Sequence, residues 1–461
     1  MAILGAFIVP HPPIILPEIG RGEEKKISQT TEAYEKVMEE ISNLHPETVI
    51  ITSPHSVCYF DYFHISPGKE AEGDFGRFGA PEVALKTTYD QEFAAVLSEN
   101  CLKDNLSAGE EGEKDKHLDH GTMIPLYFLN KHYFGFKTVR IGLSGLPALD
   151  FYKLGQEIQK TADLLNRNIV LIASGDLSHC LKEDGPYGFK KEGPEFDQAI
   201  VEMMKKGDFR SFFSFEPAFL EKAEECGLGS FQILAGTLDK KAVKSEFLSY
   251  QGPFGVGYAV SGYTVIGVDE KNDIYQQILN EKQKKIEERK AKEDPLVKLA
   301  RLSVESFVLT GKTISVPSNL PEEIMKKKAG VFVSLHKDGQ LRGCIGTFSP
   351  CYQNIATEVI NNGVEACSQD PRFNPVEAYE LPDLEYSVDV LSPFEKISSV
   401  DQLDAKRYGV IVQNGSRRGL LLPNLDGVDT PDEQIEIAKK KAGIRQNENV
   451  ILYRFEAVRH L

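Results

Sequence analysis

Ten histidines are present, and their placement points to chemistry more than their number does. Three follow β-like runs directly: Val9-Pro10-His11, Ser53-Pro54-His55, and Ser178-His179 beyond the run IVLIA (169–173). A further pair, His117 and His120, lies in HLDHGTMIPL, where Asp-His-Gly marks a loop or helix start. In an open α/β sheet, ligands bind outside the carboxyl ends of the strands, so these side chains can converge on one rim. Neutral imidazole suits iron and zinc, and two histidines with one carboxylate and open positions form the pattern of non-haem Fe(II) enzymes. The segment EECGLGSF offers Glu224, Glu225 and Cys226 for the third position, on a turn made by Gly227 and Gly229. A carboxylate and a thiolate both remain open there. A histidine outside the coordination set can move a proton, because its pKa lies near neutrality. One strand-end histidine alone is more often a loop residue bonded to backbone; the three together with His-x-x-His-Gly carry the reading. His45, His64, His132, His336 and His460 are left as structural residues.

The elements that must position these residues are legible from hydrophobic periodicity. AFIV (6–9), VIIT (49–52), VRIGL (139–143) and IVLIA (169–173) alternate with helix-like stretches, and Tyr34, Val37, Met38 and Ile41 mark one face of a helix over 30–44. This alternation predicts an α/β domain with a central, largely parallel or mixed sheet flanked by helices. The charge block NEKQKKIEERKAKED (280–294), followed by Pro295, reads as a solvated helix or linker and marks a boundary. The expected division is a first domain over 1–270, a charged linker over 271–294 and a separate α+β domain over 295–461. In the latter, Asp338-Gly339 and Asn414-Gly415 predict hairpin turns. Thr430-Pro431-Asp432-Glu433 predicts a capped helix running to about Lys441. No internal repeat links the halves.

At 461 residues two domains are expected, and no run of eighteen apolar residues is present to cross a bilayer. With 69 acidic against 53 basic residues the net charge is -16, which disfavours a broad grip on nucleic acid or anionic lipid. The seven cysteines are scattered without a Cys-x-x-Cys pair, so neither a disulfide framework nor a structural zinc site is implied. A reducing compartment, the cytoplasm, fits best. The N-terminal MAILGAFIVPHPP reads as a first strand, not a signal peptide.

The motifs Pro10-His11-Pro12-Pro13, Ser53-Pro54-His55, Leu118-Asp119-His120-Gly121 through Pro125-Leu126, and Gly175-Asp176-Leu177-Ser178-His179 carry a family resemblance. Over most of residues 1–268 the chain resembles the class III extradiol ring-cleavage dioxygenases (LigB-type catalytic subunits) and their Memo-like relatives. The resemblance implies His11 and His55 as metal ligands and His179 as general acid/base. It implies His120, with His117, as contacts to substrate or dioxygen. Extradiol enzymes place a glutamate third, whereas Memo-like proteins place a cysteine in a Cys-Gly motif, and this chain has Glu225-Cys226-Gly227. Glu225 is the preferred expectation. The implied activity is that of an Fe(2+)-dependent oxidoreductase cleaving a catecholic or related small aromatic with dioxygen. The same ligands holding Zn(2+) would suit hydrolysis.

From Leu296 to Leu461 the chain resembles the AMMECR-type domain, through Leu341-Arg342-Gly343-Cys344-Ile345-Gly346-Thr347, Asp370-Pro371-Arg372-Phe373, and Arg417 to Pro423. Arg342 beside Cys344 would lower the thiol pKa; the plainer expectation is an ion-pair cluster of Arg342, Asp370 and Arg372 with Cys344 packed in the core. The pairing of the two domains resembles the AmmeMemoRadiSam set. That implies, as an alternative, a metal-stabilised, non-catalytic partner of a radical S-adenosylmethionine protein. The relatives also make a homo-oligomer an open expectation.

Overall fold

The computed structural model describes residues 2–114, 117–337, 339–425 and 427–461. The chain forms two units, Met1–Glu281 and Lys282–Leu461. In the first, a six-stranded sheet runs edge to edge as Lys137–Gly142, Thr48–Ser53, Ile169–Ser174, Ile3–Val9, Tyr258–Val268 and Lys241–Gln251. The first four strands are parallel and the last two are added antiparallel, so the sheet is mixed. Thr48–Ser53 and Ile169–Ser174 are buried at every position, because crossovers place helices on both faces.

Alternate side chains of each strand feed two separate cores, as the two-residue repeat of a strand requires. Ala6, Ile8, Ile50 and Leu171 pack toward helices Ala148–Leu165 and Leu228–Thr237. Phe7, Val9, Ile51 and Ile172 pack toward helices Ser28–Leu44 and His120–Leu129. The helical face expected from Tyr34, Val37, Met38 and Ile41 is fully buried. Three neighbouring parallel strands end at Val9, Ser53 and Ser174 on one edge, and the register pairs Val9 with Ser174. His11 and His55 each follow their strand by two residues, which places them at that rim.

The charged run, expected as a solvated helix or linker, is helical as far as Lys292: helix Ile274–Lys292 buries only Ile274 and Ile278. Glu, Lys, Gln and Arg are good helix formers, which suits a helix with little buried surface. Among the described residues no helix is long and apolar enough to cross a membrane.

The second unit is α+β, with two four-stranded antiparallel sheets. One has the order Gln340–Gly346, Val331–Lys337, Leu384–Leu391, Ala457–His460. The other has the order Glu395–Ile397, Ile451–Phe455, Gly409–Asn414, Arg417–Leu421. Helices Pro295–Thr310 and Ile355–Ser368 cover one face of the first sheet. Helix Pro431–Lys441 opens with the expected capping box of Thr430 and Glu433. The second hairpin turns on Gly415 and Ser416, one residue later than expected, with Gly415 at φ +58°. A turn with positive φ only at its first loop residue needs one glycine there and no Asn before it. At the first hairpin Asp338 lies outside the described residues.

Arg342 departs from expectation. Leu335 pairs with Gly343 and His336 with Leu341, so a bulge leaves Arg342 without a cross-strand partner. Its guanidinium turns to Glu380 (2.9 and 2.9 Å) and the carbonyl of Asn374 (3.0 Å), not to the Cys344 thiol. Asp370 pairs with Arg372 at 2.6 Å, which holds its carboxyl down to about 2.

Candidate metal centre

His11, His55 and Cys226 come together at the carboxyl rim, with their donor atoms all within 4.8 Å of one another. His11 Nε2 lies 3.0 Å from His55 Nε2 and 3.6 Å from Cys226 Sγ. His11 is 1% exposed, and its backbone N–H donates to Asp176 Oδ1 at 2.8 Å.

The tautomer of His11 follows from its neighbours. Ser174 Oγ donates its one proton to the Gly121 carbonyl (2.6 Å), so it must accept from His11 Nδ1–H (3.0 Å). His11 Nε2 is therefore left bare, with its lone pair facing His55 and Cys226. This is how proteins aim a histidine at a metal. Ser174→Ala is expected to weaken metal binding by about 10–100-fold with little loss of fold, read by competition titration against a chelator.

Burial, then the charge of His55, holds the His11 pKa down to about 3. Burial, then His11 and His55, does the same to His120. Burial also lowers His55 and His179. The rings are thus uncharged at neutral pH, as ligation of a cation demands.

His120 opens helix His120–Leu129 behind the N-cap Asp119, whose carboxylate accepts from Thr122 N (3.0 Å), Thr122 Oγ1 (2.8 Å) and Ser53 Oγ (2.6 Å). This capping seats the His120 ring against His55, stacked at 4.1 Å and 30°. His117 is exposed and stands apart from the clustered donors. With His55, His120, Arg77, Phe78 and Met123 it lines a cleft of about 730 Å³. The buried Arg140 donates to its carbonyl at 2.7 Å. His179 is half-buried, with its ring 5.2 Å from Tyr187.

Glu225, preferred from sequence as third ligand, does not join the cluster. Its carboxylate accepts from Leu228 N at 2.7 Å, at the start of helix Leu228–Thr237, and burial pushes it up to about 7. The neighbouring Cys226 takes the place beside His11, where Asp176 N–H donates to its sulfur at 3.4 Å. Burial, then Asp176, raises this thiol's pKa; a bound cation acts in the opposite sense. Close backbone packing makes the arrangement: a Cβ on Gly175 would fall 2.2 Å from Gly227 Cα.

Sequence reasoning passed over Ser174, Asp119 and Asp176 as site residues. The signal for each was present, a polar residue ending or adjoining an apolar run beside a candidate histidine.

Asp197 supplies a pH test apart from the cluster. It is 1% exposed, accepts from Tyr250 Oη (2.6 Å) and Ser178 N (2.8 Å), and burial pushes its carboxyl up to about 7. Between the ordinary value of 3.8 and about 7, the folded state holds a proton that the unfolded chain has released. Stability therefore falls as pH rises through that window, by at most about 1.4 kcal/mol per pH unit for this group. Denaturant unfolding of metal-free protein at several pH values is expected to show this loss, and Asp197→Asn to flatten it.

An α/β sheet that gathers imidazoles and a thiol beyond the ends of its parallel strands has the architecture of a metal-dependent enzyme. Residues 5–261 match the family described as the catalytic LigB subunit of aromatic ring-opening dioxygenase, and the chain belongs to that family. Residues 297–460 match AMMECR1, so the chain is a fusion of the two. Protein CA_C1420 of Clostridium acetobutylicum is 41% identical over 100% of this chain and 99% of its own length. A Thermotoga maritima protein is 51% identical over 36% of this chain and 98% of its own. The crystal structure of PH0010 from Pyrococcus horikoshii shares 34% identity over 36% of this chain and 88% of that one, with a TM-score of 0.34.

Proposed function

We propose that the first unit is an iron(II)-dependent oxidoreductase of the extradiol type, acting on a small aromatic diol with dioxygen, its metal held by His11, His55 and Cys226. The observation that carries this reading is the convergence of three donor atoms within 4.8 Å, one of them a bare nitrogen fixed by Ser174. A thiolate has the same single charge as the expected carboxylate but is softer, and that softness keeps zinc-dependent hydrolysis as a second reading.

When bound, the metal supplies Lewis acidity and electron exchange between diol and dioxygen. The protein's part is binding and proton handling. Phe78 and the His120 ring, 5.3 Å apart, offer aromatic faces to a planar substrate in the cleft, and Arg77 offers a positive charge. His179, kept neutral by burial, is the base for a phenolic proton. His120, also neutral, gives or accepts a hydrogen bond without adding charge.

Anaerobic reconstitution with ferrous iron, followed by metal analysis and oxygen uptake with a panel of catechols, tests the reading. One metal per chain and diol-dependent uptake are expected, both lost in His11→Ala. Absence of stoichiometric metal, or undiminished binding by His11→Ala, overturns it. A zinc-loaded protein that hydrolyses and takes up no oxygen selects the second reading.

A further inference from the structure

The second unit contains a cavity of about 700 Å³ between its two sheets. Strand alternation explains its floor. Val331, Val333 and Leu335 are fully buried toward the helices, whereas Phe332, Ser334 and His336 point the other way and line the cavity. The register sets Ser334 between Cys344 and Ser387, and Ser334 Oγ donates to Cys344 Sγ at 3.2 Å. A sheet face covered by a second layer is ordinarily apolar. This one presents thiol, hydroxyl and hydroxyl side by side.

The walls are cationic. Arg372, Arg418, Lys441 and Arg459 all reach the cavity, and no Asp or Glu lines it among the described residues. Two of these charges are already balanced, Arg372 by Asp370 at 2.6 Å and Arg459 by Asp389 at 2.9 Å. Arg418 donates to the neutral Gln413 Oε1 at 2.9 Å. Among the described residues neither Arg418 nor Lys441 has a carboxylate within ion-pairing distance. Two uncompensated positive charges thus face one cavity in a chain whose net charge is -16. Phe332 and Phe348, stacked at 6.3 Å, add an apolar side.

We propose that this cavity binds an organic phosphate monoester, its phosphate held by Arg418 and Lys441 and its apolar body lying against Phe332 and Phe348, above the Cys344 thiol. A phosphate monoester carries close to two negative charges at neutral pH, which matches the two unbalanced cations. The cavity falls within the usual size of small-molecule sites.

Phenyl phosphate is the probe, titrated calorimetrically into the full chain, with phenol as the uncharged control. Saturable one-to-one binding of phenyl phosphate is expected. Arg418→Gln and Lys441→Gln should each weaken it about tenfold or more, as loss of a charged hydrogen bond does. Both side chains are exposed, and unchanged thermal unfolding verifies that the variants fold. A second readout needs no variant: saturating phenyl phosphate should slow iodoacetamide labelling of Cys344 several-fold, followed by peptide mass spectrometry, and phenol should not. No saturable binding, binding indifferent to both substitutions, or unprotected Cys344 overturns the proposal.

Discussion

Cys226→Ala is expected to lower affinity for ferrous iron by more than about 100-fold, since it removes a proposed ligand and loss of a mere supporting group already costs about 10–100-fold. Glu225→Gln, one residue away, is expected to leave affinity essentially unchanged. The contrast follows from direction: the Cys226 sulfur lies 3.6 Å from His11 Nε2, while the Glu225 carboxylate accepts from Leu228 N at 2.7 Å. Burial already holds the Glu225 carboxyl up to about 7, so a neutral amide oxygen takes over its acceptor role with little change in charge. Anaerobic chelator competition on both variants measures the difference. Cobalt substitution adds a spectroscopic check, because the thiolate-to-cobalt band should vanish in Cys226→Ala and persist in Glu225→Gln. Retention of iron by Cys226→Ala and its loss in Glu225→Gln would show that the carboxylate is the ligand.

Gly175→Ala is expected to destabilise the first unit by at least about 1–3 kcal/mol and to loosen the metal in the same variant. The added methyl would lie 2.2 Å from Gly227 Cα and 3.2 Å from Gly227 C. Both are backbone atoms, so no side-chain rotation relieves the overlap. Relief requires separating the end of strand Ile169–Ser174 from the turn that carries Cys226, which links stability to the metal site. Denaturant unfolding of the metal-free protein measures the first effect and chelator competition the second. A variant with native stability and native iron affinity would show that this contact does not hold the thiol in place.

Much of the fold was readable because its signals are local. Each parallel strand is a short apolar run, and His11 and His55 follow their runs by two residues, so their common rim could be inferred without tertiary knowledge. Asp119 before His120 is a local cap, and the Thr430 and Glu433 box is another. The Arg342 bulge was not readable, since it depends on how two strands pair and not on the residues of either. The charged run over 280–294 signalled exposure correctly, but exposure does not distinguish a linker from a helix.

By itself, the sequence determined that a mixed α/β unit presents histidines beyond its strand ends and precedes an α+β unit, because hydrophobic period and caps act within a few residues. Only the tertiary structure placed Cys226, and not Glu225, beside His11. Adjacent side chains on a turn point different ways, and which one meets His11 depends on Gly175 packing against Gly227, a contact between residues 52 positions apart in the chain (227 less 175). The tertiary structure likewise decided that Ser174, through one proton given to Gly121, leaves His11 Nε2 bare. Hydrogen-bond direction of that kind is a property of three segments meeting, and no single stretch of the chain encodes it.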